Sequence, residues 1–264
     1  MAGDLEALLV ELQGLEAGPI TRAVERLEEL LPSLDPADRQ RTVDALCGLF
    51  YIDLYDREDL QPAVAAAERA LTRLGESIIP TLIHMMEGSD FKSHLHLARV
   101  LGRIGEPAIP HLSRLVATAE EGYSRSFALY AIGKIRSPEV HRALTEVVGS
   151  MMHPDSEVRD SAARTLGKIV DVVPAKTLTE RRRSEIFLAL SRASTDAQPA
   201  VRAKAVRSLG KMVRGGYLSE GQQAQLRGRL DAILGQGNEE SWDRAYVVRR
   251  EAQEALRHLR EPGS

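Results

Sequence analysis

Val158-Arg159-x-x-Ala162-x-x-x-Leu166-Gly167-Lys168-Ile169 returns further along the chain as Val201-Arg202-x-x-Ala205-x-x-x-Leu209-Gly210-Lys211-Met212. A third copy, Val248-Arg249-x-x-Ala252-x-x-x-Leu256, lacks the glycine, and an upstream copy, Ser124-Arg125-x-x-Ala128-x-x-x-Ile132-Gly133-Lys134-Ile135, lacks only the valine. The aligned arginines lie 34, 43 and 47 residues apart. Fainter copies end at Leu101-Gly102-Arg103-Ile104 and at Leu74-Gly75. A period in this range is the mark of stacked supersecondary units.

Val, Ala and Leu spaced by four fall on one face of a helix, so each copy predicts an amphipathic helix. The central alanine lets a neighbouring helix come close. The glycine after leucine does the same, at a cost of ~1 kcal/mol in helix propensity. A second apolar helix precedes each copy, as in Ile78-Ile79-Pro80-Thr81-Leu82-Ile83, Ala108-Ile109-Pro110-His111-Leu112 and Val140-x-x-x-Leu144-x-x-Val147-Val148. Pro80 and Pro110 suit a first helical turn, where a missing N–H is harmless. Turn residues lie between, at Gly88-Ser89-Asp90, Gly105-Glu106-Pro107, Ser137-Pro138, His153-Pro154-Asp155 and Gly215-Gly216. The pattern predicts about fourteen helices in seven hairpins, beginning near residues 4, 19, 36, 59, 77, 91, 107, 122, 138, 155, 178, 199, 219 and 240. No segment alternates with period two for long enough to predict a strand.

Composition agrees. Apolar residues make up 43%, aromatic residues only 4% and charged residues 28% of the 264 residues, the balance of packed helices and not of a large α/β enzyme. The single cysteine, Cys47, excludes an intramolecular disulfide framework and a cysteine-based zinc site, and its apolar setting predicts an inert thiol. The start of the chain lacks a basic leader with an apolar run behind it, and no stretch approaches the ~18 apolar residues of a membrane span. A cytoplasmic protein without membrane insertion is the expectation. The net charge of −3 conceals a polarity: residues 1–121 hold 11 basic and 21 acidic residues, and residues 122–264 hold 24 and 17. Such a chain can steer partners or self-associate head to tail.

The Leu-x-x-Leu/Ile-Gly-x-Ile motif with a Pro-bearing helix after it, and Asp before Val-Arg-x-x-Ala, resembles HEAT repeats, most closely the bacterial phycobilisome-lyase HEAT-like kind of the armadillo-type superhelix. The resemblance is strong over 91–213, fair over 214–260 and weak over 1–75. It implies an all-α fold, a right-handed α-solenoid of about seven hairpins with second helices along the concave side, as a single domain over 1–264. Within it 1–75 would be divergent repeats, 76–213 the best-matching ones and 214–264 a longer C-terminal cap. It also implies that Arg125, Arg159, Arg202 and Arg249, each preceded by an acid (Glu121, Asp155, Asp196, Asp243), form a structural ladder between hairpins.

Two residues either side of each anchoring Leu or Ile stands a more polar column: Arg99/Arg103, Tyr130/Lys134, Arg164/Lys168, Arg207/Lys211 and Glu254/His258. Each pair is i, i+4 and shares a helix face. Stacked side by side, the pairs predict a basic ridge over about four repeats. Its functional reading is a partner-binding surface at Arg99, Arg103, Tyr130, Lys134, Arg164, Lys168, Arg207 and Lys211; its bland reading is a solvated helix face. Arg181-Arg182-Arg183 adds local positive charge. Trp242 and Tyr246, i and i+4, read as a cap on the terminal repeat or as a contact patch, and Phe50-Tyr51 with Tyr55 admits the same two readings.

The seven histidines give no metal site: His94-x-His96 diverge on a helix and the others are scattered over different hairpins. Catalytic motifs are missing too, with no Gly-rich phosphate loop, Gly-x-Ser-x-Gly or His-Glu-x-x-His. The His-Glu dipeptides that hold two irons in the similar deoxyhypusine hydroxylases are absent, and the lone Trp242 leaves no aromatic cleft of the kind HEAT-like DNA glycosylases use. The reading is therefore a non-enzymatic scaffold or adaptor, without cofactor or metal, that offers its ridge to a protein with an acidic surface. Nucleic acid or another polyanion is the alternative, self-association remains open, and a phycobilin-lyase-like enzyme is a minor alternative.

Overall fold

The structure, a computed structural model, describes residues 2–88, 91–236 and 242–260. Among these the chain is helical, and no strand occurs. The all-α reading holds, and the fold is the helical-repeat solenoid of HEAT and armadillo proteins. The chain divides into two compact units, residues 1–111 and 112–264.

The first unit pairs α1 (Ala2–Glu11) with α2 (Ala17–Leu30), α3 (Pro36–Gly48) with α4 (Gln61–Leu74), and α5 (Ile79–Gly88) with α6 (Phe91–Ile104). Its second helices form a row, with α4 packed against both α2 and α6. Where α4 ends, Gly75 takes φ 62°, a backbone conformation costly for any residue with a Cβ. Cys47 is buried in α3, and burial together with nearby Asp44 pushes its thiol up to about 12, so the inert reading stands.

Beyond α7 (Ile109–Thr118), the second unit holds α8 (Gly122–Ile132), α9 (Leu144–Ser150), α10 (Ser156–Val172), α11 (Glu180–Ala193), α12 (Pro199–Arg214), α13 (Glu220–Ile233) and α14 (Tyr246–Arg260). The helix expected from 138 opens instead as a 3-10 segment, Pro138–Ala143, before α9 begins. The predicted start near 240 lies outside the described residues, and the described α14 begins at Tyr246. Trp242 thus precedes the helix, and the i, i+4 pairing expected with Tyr246 does not form. Instead the Trp242 ring lies under the Arg249 guanidinium, 4.2 Å from the ring centroid.

The repeat signature is the core of this unit. Val158, Ala162, Leu166 and Ile169 in α10 are buried, as are Val201, Ala205, Leu209 and Met212 in α12 and Val248, Ala252 and Leu256 in α14. Consecutive second helices pack on one another, α8 on α10, α10 on α12 and α12 on α14. The glycines allow the approach: a Cβ on Gly167 would collide with Ser208 Oγ, and one on Gly210 would stand 3.2 Å from Ala255 Cβ. At each approach a hydroxyl crosses to the preceding helix. Thr165 Oγ1 donates to the Leu129 carbonyl and Ser208 Oγ to the Ala163 carbonyl, both at 2.8 Å and both buried. Thr165 and Ser208 occupy the same repeat position, and so do the two carbonyls.

Of the four expected ladder arginines, two join one hairpin to the next, Arg159 and Arg202. Arg159 Nε and Nη2 donate to Asp196 at 2.6 and 3.0 Å, and Arg202 makes the same fork to Asp243 at 2.6 and 2.9 Å. The remaining guanidinium nitrogen, Nη1, caps carbonyls at His153 and Pro154 in one case and at Asp196 and Ala197 in the other. The acid each arginine uses is the one that opens the following repeat. Arg159 holds Asp196 below the usual carboxylate range; at Asp243 burial opposes the shift and the Arg202 hydrogen bonds outweigh it. Arg125 and Arg249 turn to backbone carbonyls, of Ala119 and Asp243.

Candidate functional site

The polar column lies on the second helices except at Lys134, which stands in the turn after α8, and its members do different things. In the first unit Arg99 and Arg103 of α6 both reach Glu68 of α4, at 3.4 and 2.7 Å. His96 Nδ1 meets the same carboxylate at 2.8 Å while its ring stacks on Phe50, centroids 5.0 Å apart. Burial pushes the Glu68 carboxyl up, yet the His96 hydrogen bond and the two guanidiniums prevail and hold it below the usual range. This closed cluster satisfies a buried charge. His94 is likewise occupied, with Nε2 2.7 Å from the Met86 carbonyl. Among the described residues no group of three or more His, Cys, Asp or Glu is placed to hold a metal ion.

In the second unit Arg207 forks onto Glu251 of α14 at 2.9 and 2.7 Å, and Arg250 shares that carboxylate. Those hydrogen bonds hold Glu251 at about 2 against the opposing effect of burial. Arg164 bridges back one turn to Asp160 at 2.8 Å. Lys211 Nζ meets Asp171 at 2.6 Å and the Gly167 carbonyl at 3.2 Å. Lys134 lies over the Tyr130 ring, 4.9 Å from its centroid. The Arg181 and Arg182 side chains are tied to Glu185.

What is left over is compact. Among the described residues no carboxylate forms an ion pair with Lys134, Arg136 or Lys168. Lys168 is half-buried, and the charge of Lys211, then burial, then Arg136 and Lys134 push its ammonium below the usual lysine range, against a pull from Asp171. Lys134, Lys168 and Lys211 hold one repeat position at the C-terminal ends of α8, α10 and α12. Cations there are favoured by the helix dipoles, yet three in register with only Asp171 among them leave a positive centre. Such a centre can hold carboxylates or phosphates.

The sequence column does not disclose the carboxylates that cover its ends. Glu68, Asp171 and Glu251 each sit on the helix next to that of the cation they meet, so their pairing depends on inter-helix geometry, whereas Asp160 meets Arg164 within α10 at i, i+4. The one available signal is a charge inside an apolar run, as in Ala65-Ala66-Ala67-Glu68.

The fold is that of a helical-repeat solenoid, and residues 143–173, the α9–α10 hairpin, match the HEAT repeat family model. The chain is 29% identical over 197 residues to the phycocyanobilin lyase subunit beta of Thermosynechococcus vestitus, covering 74% of each chain. Among solved structures it resembles the complex of CpcE and CpcF of phycocyanin lyase from Nostoc sp. PCC7120, with TM-score 0.55 and 21% identity over 68% of this chain and 98% of that one. It also resembles Kap121p bound to Ste12p, with TM-score 0.66 and 14% identity, covering 98% of this chain and 29% of that one. The solved structures speak to fold alone. The curated relative overturns the expectation of a non-enzymatic chain and points to lyase-type activity. The lack of local catalytic motifs does not weigh against activity in a repeat scaffold, which assembles its surface from distant hairpins, one or two side chains from each. No described helix is long and apolar enough to cross a membrane.

Proposed function

We propose that this chain is the helical-repeat subunit of a lyase-type enzyme that handles a bilin, and that the lysine row of α8, α10 and α12 receives carboxylates. The observation that carries the reading is the likeness to a phycocyanobilin lyase subunit over three-quarters of both chains. The second unit supports it with Lys134, Arg136 and Lys168, which among the described residues lack carboxylate partners, beside Lys211, which has one. A bilin is a flat tetrapyrrole bearing propionate groups. It needs a cationic anchor for those groups and apolar or aromatic contact for its rings, and Tyr130 stands beside the lysines. Arg164 and Arg207, paired and half-exposed, flank the row and orient the approach of an acidic protein; Arg99 and Arg103, in the first unit, are occupied by Glu68.

The test is a titration of phycocyanobilin with the full chain, followed in the visible absorption band. A saturable band shift that Lys168→Glu/Lys211→Glu weakens about tenfold or more supports the proposal. An unperturbed band, with the variant indistinguishable from the parent, sinks it. Binding of an acidic peptide in place of the bilin, lost in the same variant, would instead favour a protein-only adaptor.

A further inference from the structure

Two surfaces far apart in sequence are complementary. The first is an open cavity of about 830 Å³ in the first unit, between α1, α3 and the segment that follows α3. Val10 and Leu15 line it, 61% and 79% exposed, and it carries Glu6, Asp44, Asp53 and Asp56. Arg41 covers Glu6, Arg57, also in the lining, is tied to Asp59, and Lys92 stands 3.8 Å from Asp53, but among the described residues no cation pairs with Asp44 or Asp56. The second is a surface of α14 beside the segment that follows α13, where Leu234 and Gln236 share its lining. It presents Trp242 and Tyr246, 48% and 70% exposed, with Arg249, Gln253, Arg257 and Arg260. Arg249 supports the indole, Arg257 is tied to Glu254, and no described carboxylate pairs with Arg260.

We infer that these surfaces meet between two copies of this chain, the aromatic–arginine side of α14 of one copy seating in the acidic cavity of the other. The charge distribution argues for this occupant. Residues 1–111 hold 10 basic and 19 acidic residues, net −9, and residues 112–264 hold 25 and 19, net +6. Like surfaces therefore repel and unlike surfaces attract, which disfavours an isologous contact and favours a heterologous one. Exposed Val10 and Leu15 supply apolar area for the Trp242 ring, and Asp44 and Asp56 supply carboxylates for Arg260 and for the exposed Arg257. The contact leaves a cavity free at one end of the pair and an α14 side free at the other, so chains extend with concentration.

Sedimentation of the full chain over a concentration series tests this. The average mass should rise with concentration at low salt and fall back toward 29.0 kDa at high salt. Asp44→Lys/Asp56→Lys and Arg257→Ala/Arg260→Ala should each remain monomeric alone, with unchanged circular dichroism. Mixed in equal amounts they should give a dimer and nothing larger, because one intact cavity and one intact α14 side remain between them. Leu15→Glu and Trp242→Ala repeat the test at the apolar part of the contact, should either double variant fold poorly. A chain that stays monomeric throughout overturns the inference, as does association that survives in both double variants or a mixture that stays monomeric. The outcome is independent of bilin binding, which the α14 variants leave untouched.

Discussion

Gly167→Ala should destabilise the protein even though alanine is the better helix former. Gly167 lies well inside α10, where replacing glycine by alanine alone gains about 1 kcal/mol. The new Cβ would run into Ser208 Oγ and would stand 3.0 Å from Ser208 Cβ. The hydroxyl must swing away, giving up its bond to the Ala163 carbonyl, which costs about 1 kcal/mol in a buried setting. Rotation does not relieve the Cβ–Cβ approach, so α10 and α12 must part, an overpacking cost of about 1–3 kcal/mol. The net is a loss of about 1–3 kcal/mol. Gly228→Ala provides the contrast: it lies inside α13 with nothing within 4 Å of the added methyl, so it should gain about 0.5–1 kcal/mol. Urea unfolding followed by circular dichroism, with m unchanged, reads both effects as midpoint shifts of opposite sign. If Gly167→Ala raises the midpoint as Gly228→Ala does, α10 and α12 do not approach at that glycine, and the close stacking of second helices is refuted.

Glu251 titrates at about 2 in the folded chain, below its ordinary 4.5, so its pairing adds stability that is full above about pH 4.5 and is lost as pH falls toward 2. Glu251→Gln should therefore lower the urea midpoint at pH 7 and narrow its gap from the parent at pH 3; an equal gap at both would deny the linkage. Arg159→Ala strands the partly buried Asp196, so a double-mutant cycle with Asp196→Ala should give a coupling of about 1–3 kcal/mol, whereas additive effects would reduce the ladder to decoration. Cys47 should resist a disulfide thiol reagent at pH 8 and react fully in denaturant, because its thiol is buried and pushed up to about 12; prompt labelling of the native chain would contradict the packing of α3.

Much of the architecture is legible in the residues themselves. Val158, Ala162, Leu166 and Gly167 state which side of α10 is buried and how closely a neighbour comes, because helical period and side-chain volume are local properties. Proline and N-cap residues mark several starts, as at Pro36 and Pro199. Legibility ends where a contact depends on how two helices cross. Arg99 and Arg103 read as an open cationic pair, yet Glu68, 31 and 35 residues earlier, closes on them. Arg207 similarly depends on Glu251, 44 residues later. Trp242 and Tyr246 have helical spacing, but the helix begins only at Tyr246. The lysine row is visible as a sequence column; that Lys211 has a carboxylate partner while, among the described residues, Lys134 and Lys168 have none is not.

The buried hydroxyl crossings from Thr165 and Ser208 bear on how such a chain can grow. Each pairs a side chain at one repeat position with a carbonyl at another on the helix before, and neither end depends on the length of the connection between them. A duplicated segment 174–214 inserted after Arg214 would present a second serine to the Val206 carbonyl of the original helix, in the register already used at Ala163. Tandem gene duplication could then lengthen the array one hairpin at a time without redesigning a single junction, while an insertion of one residue inside α12 would misalign every contact downstream.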